Sequence, residues 1–176
     1  MPSDTEVTIG GFQATFTDVR LPVGLVVSKV VLDSKGASLD QHPFRISLVE
    51  PGNIEARVNE KALADFLDKR SPGGLKDFVI QIRDNKLFVH ASVRVLVEVR
   101  ASAVCTLRLM GGTSVYVDLE SVELFGVGAR TLVQNQLDQI NPVLDVASFP
   151  LKIEILDVQA TDGEIVIRGH AEPLPA

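Results

Sequence analysis

From Leu87 to Leu109 every odd-numbered residue is apolar: Leu87, Val89, Ala91, Val93, Val95, Val97, Val99, Ala101, Ala103, Cys105, Leu107 and Leu109. The even positions between them mix His90, Arg94, Glu98, Arg100 and Arg108 with Ser, Thr and a few apolar residues. Because 45% of the chain is hydrophobic, twelve such positions in a row would arise by chance at about 0.0001, so the period of two is a signal. Period two is the β-strand period and gives the segment one dry face. The run far exceeds an ordinary strand of about 5–6 residues. It therefore predicts either one long curved strand or two strands joined by a bend that preserves parity.

The rest of the chain alternates less strictly. Residues 6–18 carry Val7 and Ile9, then Phe12, Ala14 and Phe16, and the change of parity at Gly10-Gly11 predicts a bulge or bend. A β-branched strand is expected over 25–32, then a turn at Asp33-Ser34-Lys35-Gly36, then strands over 44–49 and 54–58. Asn59 reads as a helix N-cap, with Glu60 in the first turn and Lys69 and Arg70 in the last, and the helix is stopped by Ser71-Pro72-Gly73-Gly74. Its apolar stripe is Leu63, Phe66 and Leu67.

A strand over 78–83 turns at Asp84-Asn85 into the long run, and Met110-Gly111-Gly112 turns out of it. Val115, Val117 and Leu119 alternate before a parity shift near Ser121 predicts another bulge. A second amphipathic helix is expected from about 128 to 141, its stripe continuing through Val143 and Leu144, with Pro142 ending or kinking it. Two last strands flank a hairpin at Thr161-Asp162-Gly163, and the tail after about 171 reads as loose.

Six to nine strands joined by hairpin turns, with two widely separated helices, predict the α+β class. The expected form is one long, strongly curved antiparallel sheet wrapped around both helices in a single domain over 1–176. The core is aliphatic, since aromatic residues make up only 5% of the chain and there is no Trp. A net charge of −6 and the absence of a basic block argue against a nucleic-acid partner. No apolar stretch is long enough for a spanning helix, and the opening Met1-Pro2-Ser3-Asp4 is unlike a signal peptide. The chain as written reads as soluble, exported if a signal or anchor has been trimmed and otherwise cytoplasmic.

Candidate chemistry is sparse. His42, His90 and His170 have no ligand spacing, and the single cysteine, Cys105, lies on the dry face as a small hydrophobe. No nucleophile elbow, phosphate loop or dinucleotide fingerprint is present. Asp118, Glu120, Glu154 and Asp157 alternate with apolar residues as a solvated strand face does. The reading is therefore no enzyme, no metal and no cofactor. What remains is apolar surface, either a fully packed core or a groove left open for an acyl chain. Ala91, Ala101, Ala103, Gly169 and Ala171 are compatible with both.

The stretch Ala56-Arg57-Val58-Asn59-Glu60-Lys61-Ala62-Leu63 resembles a helix start of the bacterial LmeA-like phospholipid-binding family. The stretches Leu137-Asp138-Gln139-Ile140-Asn141-Pro142-Val143-Leu144-Asp145, Phe149-Pro150-Leu151-Lys152-Ile153 and Asp162-Gly163-Glu164-Ile165-Val166-Ile167-Arg168-Gly169 are similar to that family's ending. The likeness covers roughly residues 25–171. It implies a distant relation to the tubular lipid-binding (TULIP) superfamily, in which a curved sheet leaves an apolar channel for lipid tails. It also implies an envelope protein that binds phospholipid, such as phosphatidylinositol or phosphatidylglycerol, without catalytic residues. The polar opening residues depart from the signal or anchor, followed by a helix, with which members usually begin.

The expectation is non-catalytic binding of a phospholipid or fatty-acyl ligand, serving transport or sensing and leaving room for peripheral membrane contact. The alternative is a structural or protein-interaction module with a packed core. The expected channel lining is Val93, Val95, Val97, Val99, Leu107 and Leu109 from the sheet, with Phe66, Leu67, Leu137 and Ile140 from the helices. No headgroup site is assigned. Arg94, Arg100 and Arg108 lie on the wet side and would meet a phosphate only near a channel mouth. Oligomeric state is not legible.

Overall fold

The long alternating run folds back on itself. In the computed structural model, which describes residues 7–41, 44–70, 74–94, 98–123, 129–147, 149 and 151–173, it forms β6 (Lys86–Arg94) and β7 (Glu98–Met110), paired antiparallel. Leu87 lies opposite Cys105 and Val93 opposite Val99, so odd residues face odd residues across the hairpin and the dry face is continuous. Parity survives the reversal, which is why one period runs through both strands.

The first strands are β1 (Val7–Arg20), β2 (Val26–Gln41), β3 (Phe44–Leu48) and β4 (Gly52–Asn59). Helix α1 (Glu60–Arg70) and strand β5 (Lys76–Arg83) precede the hairpin. After it come β8 (Ser114–Glu123), α2 (Ala129–Ile140), the two-residue β9 (Leu144–Asp145), β10 (Lys152–Thr161) and β11 (Glu164–Glu172). The described residues thus form more strands than the six to nine expected, because β3 and β9 are short and the long run supplies two.

All strand pairs are antiparallel, but they make two sheets rather than the single one expected. One has the order β1-β2-β4-β11-β10, with β3 also on β2; the other runs β5-β6-β7-β8-β9. One of them is strongly curled, a half-barrel. The chain leaves the first sheet at α1, builds the second from successive neighbours, and returns when β11 pairs with β4, Glu164 opposite Asn59. Hairpin signals report only neighbours in sequence, so that return was invisible to them.

Three further expectations are corrected. Residues 33–36 are not a turn but lie inside β2, where the buried Ser34 hydroxyl has two carbonyl acceptors within reach of its one proton, Gly36 (3.1 Å) and Glu50 (3.0 Å). Polar bonding within a strand mimicked turn composition. Of the bulge or bend expected at Gly10-Gly11, the bulge is absent: the β1–β2 register runs unshifted from Val7 opposite Leu39 to Arg20 opposite Val26. Gly11 has left-handed backbone there, φ 81°. Helix α2 ends at Ile140, and Val143 and Leu144 leave it for the β8 edge, Val143 N–H donating to the Val115 carbonyl at 3.0 Å. The bulge near Ser121 is present, as a register shift opposite Val104 and Cys105.

The sheets are joined along β10. The backbone N–H of Ile155 donates to the Gly112 carbonyl at 2.7 Å and that of Asn85 to the Ala160 carbonyl at 3.0 Å. The Asn85 side chain in turn accepts from Ala160 N–H at 3.0 Å. The hairpin turns of one sheet thus satisfy the edge of the other, which removes an open edge and fixes the two apolar faces toward each other. The main core draws Leu21, Val27, Val58 and Ile165 from the first sheet and Ile80, Leu87, Cys105 and Val117 from the second.

Candidate functional site

Both helices bring their apolar stripes to this core. The Asn59 side chain accepts from the Ala62 N–H at 2.8 Å, the N-cap bond that its position predicts. Glu60 accepts from the Ile82 N–H at 2.8 Å and Asp68 from the Phe78 N–H at 3.1 Å, so α1 is clamped along β5. Leu63, Phe66 and Leu67 are then buried. At the end of α2, Asn141 pairs with the backbone of Val117 as a strand would, accepting from its N–H and donating to its carbonyl, both at 2.9 Å. That bond sets Leu137, Ile140 and Val133 against the second sheet.

The facing surfaces do not fill the space between them. A cavity of about 340 Å³ is enclosed by Leu21, Leu25, Val27 and Val30 of the first sheet's β1–β2 end, by Val58, Ile165 and Ile167, and by Leu107, Val115 and Val117 of the second sheet. Leu144, Val146, Phe149, Leu151 and Ile153 complete the wall. Every lining residue is apolar or glycine. A second chamber of about 100 Å³ lies under the helices, lined by apolar side chains with Ser102 and Gln136 the polar members. The two share Leu63, Phe66, Leu87, Val117 and Val143. The larger is within the range of about 300–1,000 Å³ of sites that hold small molecules. Phe16, on the edge strand β1, lines it while 50% exposed, which marks where the chamber meets solvent.

Phe66, Leu67, Leu137 and Ile140 line the smaller chamber, Phe66 lines the larger as well, and Leu107 lines the larger one. Leu109 packs instead with Val115, Val146 and Ile155 beside the cavity. Val95 and Val97, and the side chains of Val93 and Val99, lie outside the described residues. Sequence reasoning missed the first sheet's contribution, above all Leu21, Leu25, Val27, Val58 and Ile165. Their alternation was readable strand by strand, but nothing local says that β2, β4 and β11 face the long hairpin.

No charged side chain touches either chamber. The charges are paired outside. Asp118 accepts from the Arg108 guanidinium at 2.6 and 3.0 Å, and this bond holds its carboxyl below the usual carboxylate range. Glu55 is lowered likewise by its hydrogen bond to Arg57, with Arg168 adding to it. Inside, burial pushes the Cys105 thiol up to about 11, with Asp118 and Glu120 adding to the effect. A thiol so held is inert. His90 and His170 are exposed on their strands, and His42 lies outside the described residues. Among the described residues no three His, Cys, Asp or Glu side chains gather as a metal site would need, and no helix is long and apolar enough to cross a membrane.

Among known proteins, the model of a family described as LmeA-like phospholipid-binding matches residues 1–170. No curated protein and no solved structure matches the chain.

Proposed function

This chain belongs to the LmeA-like phospholipid-binding family, and from that premise we propose that the paired chambers hold the acyl chains of a phospholipid without catalysing its conversion. The observation that carries the reading is the roughly 340 Å³ cavity with a wholly apolar wall drawn from both sheets and from α1. Its driving force is transfer of hydrocarbon out of water, about 0.8 kcal/mol per methylene. A sixteen-carbon chain gains on the order of 10 kcal/mol before ordering costs, enough for micromolar binding or tighter. The curled sheet and the two helices act together as a container. The site is non-catalytic on this reading because the wall offers only Ser102, Gln136 and an inert thiol to a bound molecule. Transfer and sensing of lipid both follow from such reversible burial.

The test is mass spectrometry of an organic extract of the detergent-free protein. Near-stoichiometric phospholipid is expected. An empty extract, repeated after incubation with phospholipid vesicles, would overturn the proposal and favour an interaction module whose chambers close around its own side chains.

A further inference from the structure

We propose that the end of the β1–β2 hairpin is a docking surface for an anionic lipid bilayer, with Pro22 and Val23 entering the membrane interface and Arg20, Lys69 and Arg70 meeting the lipid charges. The hairpin closes through Leu21 and Leu25. The Gly24 N–H donates to the Leu21 carbonyl and the Leu21 N–H to the Leu25 carbonyl, both at 2.9 Å. Leu21 and Leu25 are buried and line the larger chamber, which therefore reaches as far as this turn. Pro22 and Val23 between them stay outside: both are exposed, Val23 by 42%. Phe16, the half-exposed residue at the chamber wall, belongs to the same hairpin.

Cations cluster around this apolar tip. Arg70, at the end of α1, donates to the Val23 carbonyl at 2.9 Å and lies 4.9 Å over the Phe66 ring, which ties the helix end to the turn. Lys69 lines the hollow between turn and helix together with Gly24 and Val26. Arg20 stands opposite Val26 in the register and so shares its face. All three cations are exposed. Of the acids nearby, Asp65 is paired with Lys61 and Asp68 is turned to the Phe78 N–H of β5, while Asp18 offsets one charge and leaves the patch positive. The chain as a whole carries −6. An anionic leaflet therefore repels the molecule overall and attracts this end, which orients it. The inference rests on the acyl-chain reading for its purpose: docked here, the bilayer stands at the end of the chamber that would take its lipid.

The chain has no Trp, so V23W on the full chain reports on the tip alone. With dioleoylphosphatidylserine vesicles its emission is expected to shift to the blue and to be quenched by brominated acyl chains. V79W, at a 55% exposed position of β5, is expected to stay in water. High salt, or neutral dioleoylphosphatidylcholine in place of the anionic lipid, is expected to weaken the response. R20Q/K69Q is expected to lose about 30-fold in partition to the anionic vesicles by sedimentation; Arg70 is kept because it holds the turn. All these positions are exposed, and circular dichroism checks that each variant is folded. A V23W spectrum unmoved by anionic vesicles, an equal response of V79W, or partition untouched by R20Q/K69Q overturns the inference. The chamber is read separately, by uptake of dioctanoylphosphatidylserine below its micelle concentration, which needs no bilayer. Uptake without docking refutes this surface and leaves the acyl-chain reading standing; docking without uptake supports the surface and refutes that reading.

Discussion

A β-carbon at Gly169 would sit 2.3 Å from the carbonyl oxygen of Glu154 and 3.2 Å from the Cα of Ile155. Both neighbours are backbone of the paired strand β10, next to the bulge at Leu156, and neither can swing aside. Gly169 also lines the larger chamber. Replacement by alanine is expected to cost about 1–3 kcal/mol in urea unfolding, the usual penalty for overpacking. Cys105 makes the opposite point, since its side chain fits and its chemistry is suppressed. Its thiol is raised from 9.0 to about 11, so the folded protein favours the protonated form. The stability this contributes is full below the unfolded value and is lost as pH rises through the folded one, between 9.0 and about 11. A chromogenic disulfide reagent at pH 8 is expected to label the urea-unfolded chain completely and the native chain hardly at all. Rapid native labelling would show that the smaller chamber opens readily.

At the scale of elements, each helix is fixed to the second sheet by side-chain bonds to strand backbone. Asp68 satisfies the N–H of Phe78, which the irregular β5–β6 ladder leaves without a strand partner. Asn141 does the same for Val117, supplying both an acceptor and a donor. Asn141→Ala would strand two backbone groups at the chamber wall. A loss of about 1–3 kcal/mol is expected in denaturant unfolding, with faster hydrogen exchange at Val117. Unchanged exchange would mean that solvent already reaches that stretch of β8. The helices themselves were legible: Asn59 announced the cap, and the stripe Leu63, Phe66, Leu67 announced the buried face. The end of α2 was not, because Val143 and Leu144 continue an apolar pattern that the chain uses in a different element.

For the whole molecule, the chambers lie between two sheets joined at β10 by turn-to-edge hydrogen bonds, with residues of α1 and α2 completing their walls. Ala56 of β4 lines the larger chamber between Val30 and Ile167. Ala56→Phe places a ring into existing space, so the melting temperature is expected to hold or rise. Displacing about three methylenes of bound chain costs roughly 2.4 kcal/mol, or about 50-fold in affinity. Lipid binding measured by vesicle titration checks it, and a folded variant that binds as tightly as the parent would remove this chamber from the ligand's path.

The chain by itself determined which face of each element is dry. Period two through Leu87–Leu109 and the helical spacing of Leu63, Phe66 and Leu67 are consequences of backbone geometry, and backbone geometry is local. The hairpin turns were local too, as at Asp84-Asn85, where two residues that tolerate left-handed backbone adopt φ 52° and 57°. Tertiary structure alone decided that β11 returns to β4, that the strands divide into two sheets, and that Leu21, Val58 and Ile165 face Leu107 and Val117 across an unfilled space. A cavity is a mismatch between surfaces contributed by distant segments, and no single segment carries the volume of what stands opposite it.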